Sequence, residues 1–170
     1  MRKSIIGAFV ALSAVVIAIT GCTPEQTAMV AQQAGMASAV AWVSIDNPSD
    51  SQKAVASAVV VAIASNAASV TNGSYYATLS PVVNAYIAKN VKPQDQVVAE
   101  LASGWALTGI DTFFAMNPKY LSDSDQALTF VKSYCVGAEF GLALTKDSPI
   151  MKAAMQAADK RSVLTKSLKK

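Results

Sequence analysis

Asn-Pro and Ser-Pro pairs divide the chain, and they constrain its fold more than any other feature. They occur at 47–48, 80–81, 117–118 and 148–149, and a Lys-Pro pair lies at 92–93. Between them lie Ala- and Val-rich segments long enough for several helical turns, without sustained alternation of apolar and polar residues. Because proline restricts the preceding residue and cannot continue a helix, each pair favours a helix boundary. The sequence therefore predicts helices joined by short connections.

We predict about six helices, which pack as an all-α compact bundle after an N-terminal segment. The run at 54–64 in the second helix is apolar nearly all round and predicts a central, buried helix. Thr71-Asn72-Gly73 after it is a left-handed stop signal. The expected bounds are Glu25–Ile45; Ser49 or Asp50 to about Val70; Ser80-Pro81, as cap and first position, to Asn90; Lys92-Pro93-Gln94-Asp95 to Met116; Ser122 or Asp123 to about Thr145; and Ser148-Pro149 to the C-terminal lysines.

The first 22 residues have the organisation of a secretory leader. Arg2 and Lys3 give a basic start, and an uncharged apolar run, Ile5–Ile19, follows. That run is shorter than the roughly 20 residues of a spanning helix. The leader ends in Ile19-Thr20-Gly21-Cys22, which resembles the lipobox of bacterial lipoproteins. The alternatives are an uncleaved anchor and an ordinary signal peptide.

The resemblance implies that residues 1–21 are a signal peptide, cleaved before Cys22 after diacylglyceryl transfer to its thiol. Residues 22–170 would then be a single lipid-anchored helical domain. Two or three acyl chains on Cys22 would make release from the membrane negligible. In enteric-type bacteria, an Asp after the lipidated cysteine resembles an inner-membrane retention signal. Because Thr23 occupies that position, we expect the outer membrane, facing the periplasm, rather than the inner membrane. In a Gram-positive host the protein would instead lie on the outer face of the single membrane.

Composition argues against several classes of function. The chain has no His, which removes the commonest general base and metal ligand. Its net charge of +3 includes Arg2 and Lys3 of the leader, so little field is left to attract nucleic acid. With Cys22 acylated, Cys135 has no intrachain partner, and we interpret it as a small buried hydrophobe. We expect no cofactor, no metal and no nucleic acid.

Three carboxylates, Glu100, Asp111 and Glu139, lie inside otherwise apolar helices and are the candidates for acid–base chemistry. Glu100 and Asp111 would be about 16 Å apart along one helix. Paired-carboxylate mechanisms need roughly 5–9.5 Å. We therefore interpret all three as solvated or hydrogen-bonded side chains, and we predict no catalytic residues and no enzymatic activity.

The larger aromatic residues are expected to pack in the core, except that Tyr75-Tyr76, in a Gly-Ser loop, is predicted to be an exposed pair. Trp42 and Trp105 begin two similar stretches, each continuing with Ile-Asp, Asn-Pro and Ser-Asp-Ser, which indicate either a duplicated helix pair or shared capping chemistry. The C-terminal basic stretch could touch an anionic surface or be a solvated helix end. The other large aromatics are Phe113, Phe114 and Tyr120.

These observations favour a non-enzymatic, lipid-anchored module of the cell envelope. Its partners would be the membrane, through the lipid on Cys22, and another envelope protein or a copy of itself. A carrier or pilot-like lipoprotein that shields an apolar ligand or an envelope subunit is the second hypothesis, and it requires a cavity between helices. A hydrolase of envelope polymers is the third, and it requires polar groups that converge in a cleft.

Metabolic labelling with a palmitate analogue tests the lipid assignment. The wild-type protein should incorporate label, because the Cys22 thiol is the acylated atom, and Cys22→Ser should incorporate none. A mature protein that begins at Met1, or whose first residue has the mass of unmodified cysteine, would contradict the assignment.

Overall fold

The computed structural model describes residues 23–70, 73–144, 147–149 and 152, and these residues contain helices and no strand. The all-α bundle predicted from the sequence is confirmed. Five α-helices are described. The predicted sixth helix lies mostly outside the described residues, and the predicted leader lies wholly outside them. The helices are α1 Pro24–Asp46, α2 Asp50–Asn66, α3 Tyr75–Asn90, α4 Gln96–Met116 and α5 Ser124–Ala143, with 3₁₀ turns at Ala67–Ser69, Pro93–Asp95 and Pro118–Ser122.

Local capping sets most of the helix starts where the sequence places them. Before α2, the Gln52 N–H donates to the Ser49 hydroxyl at 3.2 Å, and the Ser49 N–H donates to the Gln52 side chain at 2.8 Å. Before α5, the Asp123 carboxylate accepts two backbone N–H groups at 3.1 Å. These bonds satisfy donors that a helix start leaves unpaired. Asn47, with φ of 46°, ends α1 in the left-handed region.

The predicted start of α3 at Ser80-Pro81 is wrong. The helix begins at Tyr75, and Pro81 lies inside it, on the exposed side. The Ser74 hydroxyl accepts the Ala77 N–H at 3.0 Å and forms the true N-cap. This earlier cap is reinforced by a carboxylate from α4, so tertiary structure outweighs the local preference of Pro81 for a first helical turn.

The prediction for α2 is correct in part. The helix packs on α3, α4 and α5, with its buried side formed by Ala56, Val59 and Ile63 among others. It is not buried all round, because Val61 and Ser65 are exposed. The α-helical part ends at Asn66, before the predicted Val70. Gly73 has φ of 84°, in agreement with the predicted left-handed stop after this helix.

The most extensive helix pair is α1 with α5, and it packs backbone to backbone. A Cβ added to Gly137 would lie 1.9 Å from the Gln32 carbonyl oxygen, and one added to Gly35 would lie 1.9 Å from the Tyr134 carbonyl oxygen. Gly141 similarly faces Met36, at 2.7 Å. Later residues of α5 meet later residues of α1, so the two helices run parallel. Only glycine permits this separation.

An aromatic cluster joins α4 to α5 and α3 on the other side of the bundle. Phe113 stacks on Phe130 with ring centroids 3.7 Å apart, and Tyr75 stacks on Phe114 at 5.2 Å. One turn earlier in α4, Gly109 leaves room for the Tyr134 hydroxyl, which a Cβ would approach to 2.3 Å. Phe113 meets Phe130, whereas the earlier Gly109 meets the later Tyr134. The helix α4 therefore runs antiparallel to α5, and to α1.

Replacing Gly137 with Ala should destabilise the fold by about 1–3 kcal/mol, because the new methyl group overlaps the backbone of α1. Gly104→Ala is the matched control: its Cβ would meet nothing within 4 Å. That change in a helix interior should stabilise by roughly 0.5–1 kcal/mol. Urea unfolding followed by circular dichroism measures both, and equal effects of the two substitutions would contradict the described contact between α1 and α5.

Candidate functional site

Asp111 caps the start of α3 from α4. Its carboxylate accepts the Tyr75 N–H at 2.8 Å, the Tyr76 N–H at 3.3 Å and the hydroxyl of Ser74. The first N–H groups of a helix lack internal partners and carry the positive end of its dipole, so a carboxylate there stabilises the helix. Asp111 therefore has the surroundings of a structural, hydrogen-bonded carboxylate.

The other two candidate carboxylates lie in different surroundings. Glu100 is exposed on α4, whereas Glu139 on α5 is half-buried and lines a groove beside α2. Asp111 is engaged at the start of α3, so the structure does not bring the three carboxylates to one site. Within the described residues, no three His, Cys, Asp or Glu side chains are grouped as metal ligands would be.

The groove beside α2 has a volume of about 860 Å³ and opens to solvent between the start of α2 and the end of α5. Its charged lining comes from Asp50, Lys53 and Glu139. Lys53 is largely buried, with its side chain 13% exposed, and pairs with the exposed Asp50 at 3.2 Å. The remaining lining residues are Pro48, Ser49, Ala54, Ser57, Leu142, Ala143 and Leu144.

A second groove, of about 370 Å³, follows the line where α1 meets α5, and we call it the α1–α5 groove. Met29 and Phe140 project from its two sides and are each 57% exposed, as is Val136 at 56%. No lining residue is ionisable. The α1–α5 groove is formed by Met29, Gln32, Gln33, Met36, Val136, Gly137 and Phe140.

A further apolar surface lies on α4, and we call Val97, Leu101 and Gly104 the α4 face. Val97 and Leu101 are 65% and 58% exposed and lie one turn apart, so their side chains are neighbours. A Cβ on Gly104 would meet nothing, so the surface dips beside this ridge. The first turns of α4 lie far from the start of α1, because Trp105 stacks on Trp42 near the end of α1, with centroids 6.2 Å apart.

Cys135 is buried, as the sequence predicts. Burial raises the pKa of its thiol to about 12, and the nearby Glu139 carboxylate adds to the shift. A reactive thiol needs a lowered pKa and access to solvent, and Cys135 has neither. Burial also raises the pKa of the neighbouring Tyr134 hydroxyl, against a smaller lowering by Ser38. Cys22 lies outside the described residues.

The prediction of an exposed Tyr75-Tyr76 pair is wrong for one of its members. Tyr75 is buried against Phe114, because α3 begins at this residue and turns its first side chain into the core. Tyr76 is exposed. Trp42 and Trp105 are buried against each other, and neither indole N–H has a hydrogen-bond partner among the described residues. Phe113 is half-buried within the aromatic cluster and Tyr120 is buried, as expected for core aromatics.

Within the part of the chain that the structure describes, one helical stretch, Glu25–Asp46, is long and apolar enough to cross a membrane. Its mean hydropathy is 1.2, and 39% of its most apolar window is buried in the protein. By the same measure a core helix of a soluble protein or a signal sequence can qualify, so this finding alone does not assign a span.

Comparison with known proteins gives no family to which the chain could be assigned. No family model, no curated protein and no solved structure matches it.

Asp111→Asn should lower the free energy of unfolding by about 1 kcal/mol, since it weakens a charged cap at the start of α3. Glu100→Gln is the control, because Glu100 is an exposed residue of α4, the helix that also contains Asp111. It should change the free energy of unfolding by less than about 0.5 kcal/mol. Thermal and urea unfolding measure both. If Asp111→Asn were as neutral as Glu100→Gln, the capping interaction would contribute nothing.

Proposed function

We propose that this protein is a lipid-anchored, non-enzymatic module of the bacterial cell envelope that binds another envelope protein or a second copy of itself. The observation that carries the proposal is the capped start of α1 directly after Cys22. Thr23, directly after Cys22, is the N-cap of α1: its hydroxyl accepts the Gln26 N–H at 3.4 Å, and its own N–H donates to the Gln26 side chain at 3.0 Å. Cleavage before Cys22 would leave this capping box, and the helix that it starts, in the mature protein.

This arrangement fits the chemistry of lipoprotein maturation. The peptidase needs an extended backbone at its cleavage site, and Thr23, the residue after Cys22, has extended φ and ψ of −66° and 161°. A proline at the first helical position needs no partner for its missing N–H. The acylated residue would thus be joined to a rigid helix by a single residue, and the domain would be held at the membrane surface.

The proposal that the module is not an enzyme is supported by the separation of the carboxylates. Asp111 is engaged at the start of α3, Glu100 faces solvent, and Glu139 lines a groove beside a Lys–Asp pair. Acid–base catalysis requires groups that converge on one substrate. A hydrolase therefore gains no support from these positions.

A carrier would need an apolar cavity between helices. The larger groove has charged groups in its lining, and the helices pack around a continuous core that includes Ile63, Leu107 and Phe130. The exposed α4 face supports a binding module better, because solvent-exposed apolar ridges favour association with another protein. Thr23 in place of Asp after Cys22 supports an outer-membrane location facing the periplasm.

Site-specific photo-crosslinking in cells tests the binding surface. A photo-reactive amino acid in place of Leu101 should give one discrete crosslinked product, because the α4 face is the proposed contact. The same group in place of Asn84, an exposed polar residue of α3, should give none. A product of twice the protein's mass indicates a second copy, and another mass indicates a different envelope protein.

Two further variants sharpen this test. Val97→Glu should abolish the product at position 101 by placing a charge in the contact. Cys22→Ser should weaken it, since the anchor raises the effective concentration of membrane-bound partners. An identical pattern of products at positions 84 and 101, or a product unaffected by Val97→Glu, would contradict the proposed surface.

A further inference from the structure

We propose that the α1–α5 groove rests on the membrane itself, with its apolar side chains among the lipid headgroups, so that the domain lies down on the surface to which Cys22 anchors it. The inference rests on the proposed lipidation of Cys22 and adds an orientation and a lipid contact to it. The occupant of the groove is thus a phospholipid interface and not a protein.

The tether between the proposed lipid and the folded domain is short. Only Thr23 separates Cys22 from Pro24, and Thr23 is fixed in a capping box. With a rise of 1.5 Å per residue, Met29 and Met36 lie about 8 Å and about 18 Å along α1 from its first residue. A lipid on Cys22 would therefore hold the whole α1–α5 groove within reach of the headgroup layer, whereas a long flexible linker would not.

No charged residue is among the described residues that line the α1–α5 groove. Between Glu25 and Asp46, α1 has no ionisable residue, although much of the helix surface is not buried in the protein. The opposite wall of the groove, formed by Val136 and Phe140 of α5, is also uncharged and more than half exposed. Moving a protein surface into the headgroup region costs free energy for every charge that must be desolvated. This surface has none to desolvate.

The packing of α1 on α5 limits how deeply the protein can enter the membrane. The α1 helix meets the length and composition for a span, but it is packed backbone to backbone on α5. Asp125, Lys132 and Glu139 on α5 would have to follow α1 into the hydrocarbon. Charged groups there are costly, so an interfacial position with the apolar side down is favoured over a span. Gln32 and Gln33 suit the polar boundary of that layer.

Fluorescence quenching by nitroxide-labelled lipids tests the orientation of the intact, lipidated protein. Phe140→Cys is labelled with an environment-sensitive NBD dye and reconstituted in phosphatidylethanolamine–phosphatidylglycerol vesicles that contain nitroxide-labelled phosphatidylcholine. Cys135 is buried, and acylated Cys22 has no free thiol, so the dye reports one position. The dye at 140 should lose most of its fluorescence relative to vesicles without nitroxide.

Two control positions decide between orientations. The dye at Val97→Cys should keep its fluorescence, because Val97 is exposed on α4, which packs mainly on α2 and α3 and contributes no residue to the α1–α5 groove. Leu121 is an exposed residue of the turn before α5. The dye at Leu121→Cys should be quenched, and the dye at 140 should not, if the domain instead stands on end. Quenching at 121 without quenching at 140, equal quenching at 97 and 140, or no quenching at any position would overturn the inference.

The same preparation separates this inference from the proposed function. Mass spectrometry of the N-terminal peptide reports the lipid directly, so an unmodified Cys22 would defeat the proposed function itself. A lipidated Cys22 without quenching at 140 defeats only the orientation. If a photo-reactive group at position 140 captures one defined protein and the dye there is not quenched, the groove binds protein and the membrane assignment is overturned.

Discussion

The close contact between α1 and α5 is the constraint on which the rest of the structure depends. Gly35 and Gly137 bring each helix against a carbonyl oxygen of the other, and Gly141 extends the contact toward Ala39. At this distance the helices gain dispersion and weak Cα–H···O contacts along their backbones. The pairing also sets the direction of Tyr134, whose hydroxyl reaches Gly109 of α4. A third helix, α4, is thereby positioned by the contact between α1 and α5.

Much of the fold could be predicted from the sequence because the signals are local. Ser49 and Asp123 cap the helices that follow them, and Asn-Pro pairs end α1 and α4, all within a few residues. The start of α3 could not be predicted in this way. Its cap is completed by Asp111, 36 residues after Tyr75. The sequence presents Ser80-Pro81 as an equally good start, and only the position of α4 decides between them.

The candidate sites differ in the same respect. Burial of Cys135 followed from its apolar neighbours, and the exposed apolar residues of α1 and α4 could not be separated from core residues by spacing alone. Met29 and Val97 are apolar residues of the kind that is usually buried. They are exposed because α1 is covered mainly by α5, and α4 mainly by α2 and α3, which leaves one side of each helix uncovered. The Gly137-x-x-x-Gly141 spacing was a visible signal for a close helix pair, whereas its partner and parallel direction depend on the whole topology.

The manner in which α1 is held bears on what its outer side can contact. Small residues at spacings of four, with backbones touching, are also how helices pair inside membranes, where no hydrophobic effect drives side chains together. The α1–α5 pair is therefore stabilised by contacts that keep their strength whether the exposed side meets water or lipid. The contact between α1 and α5 does not use Met29 and Phe140, which are each 57% exposed. The helix pair leaves them exposed, on the side of the domain that is proposed to meet the membrane.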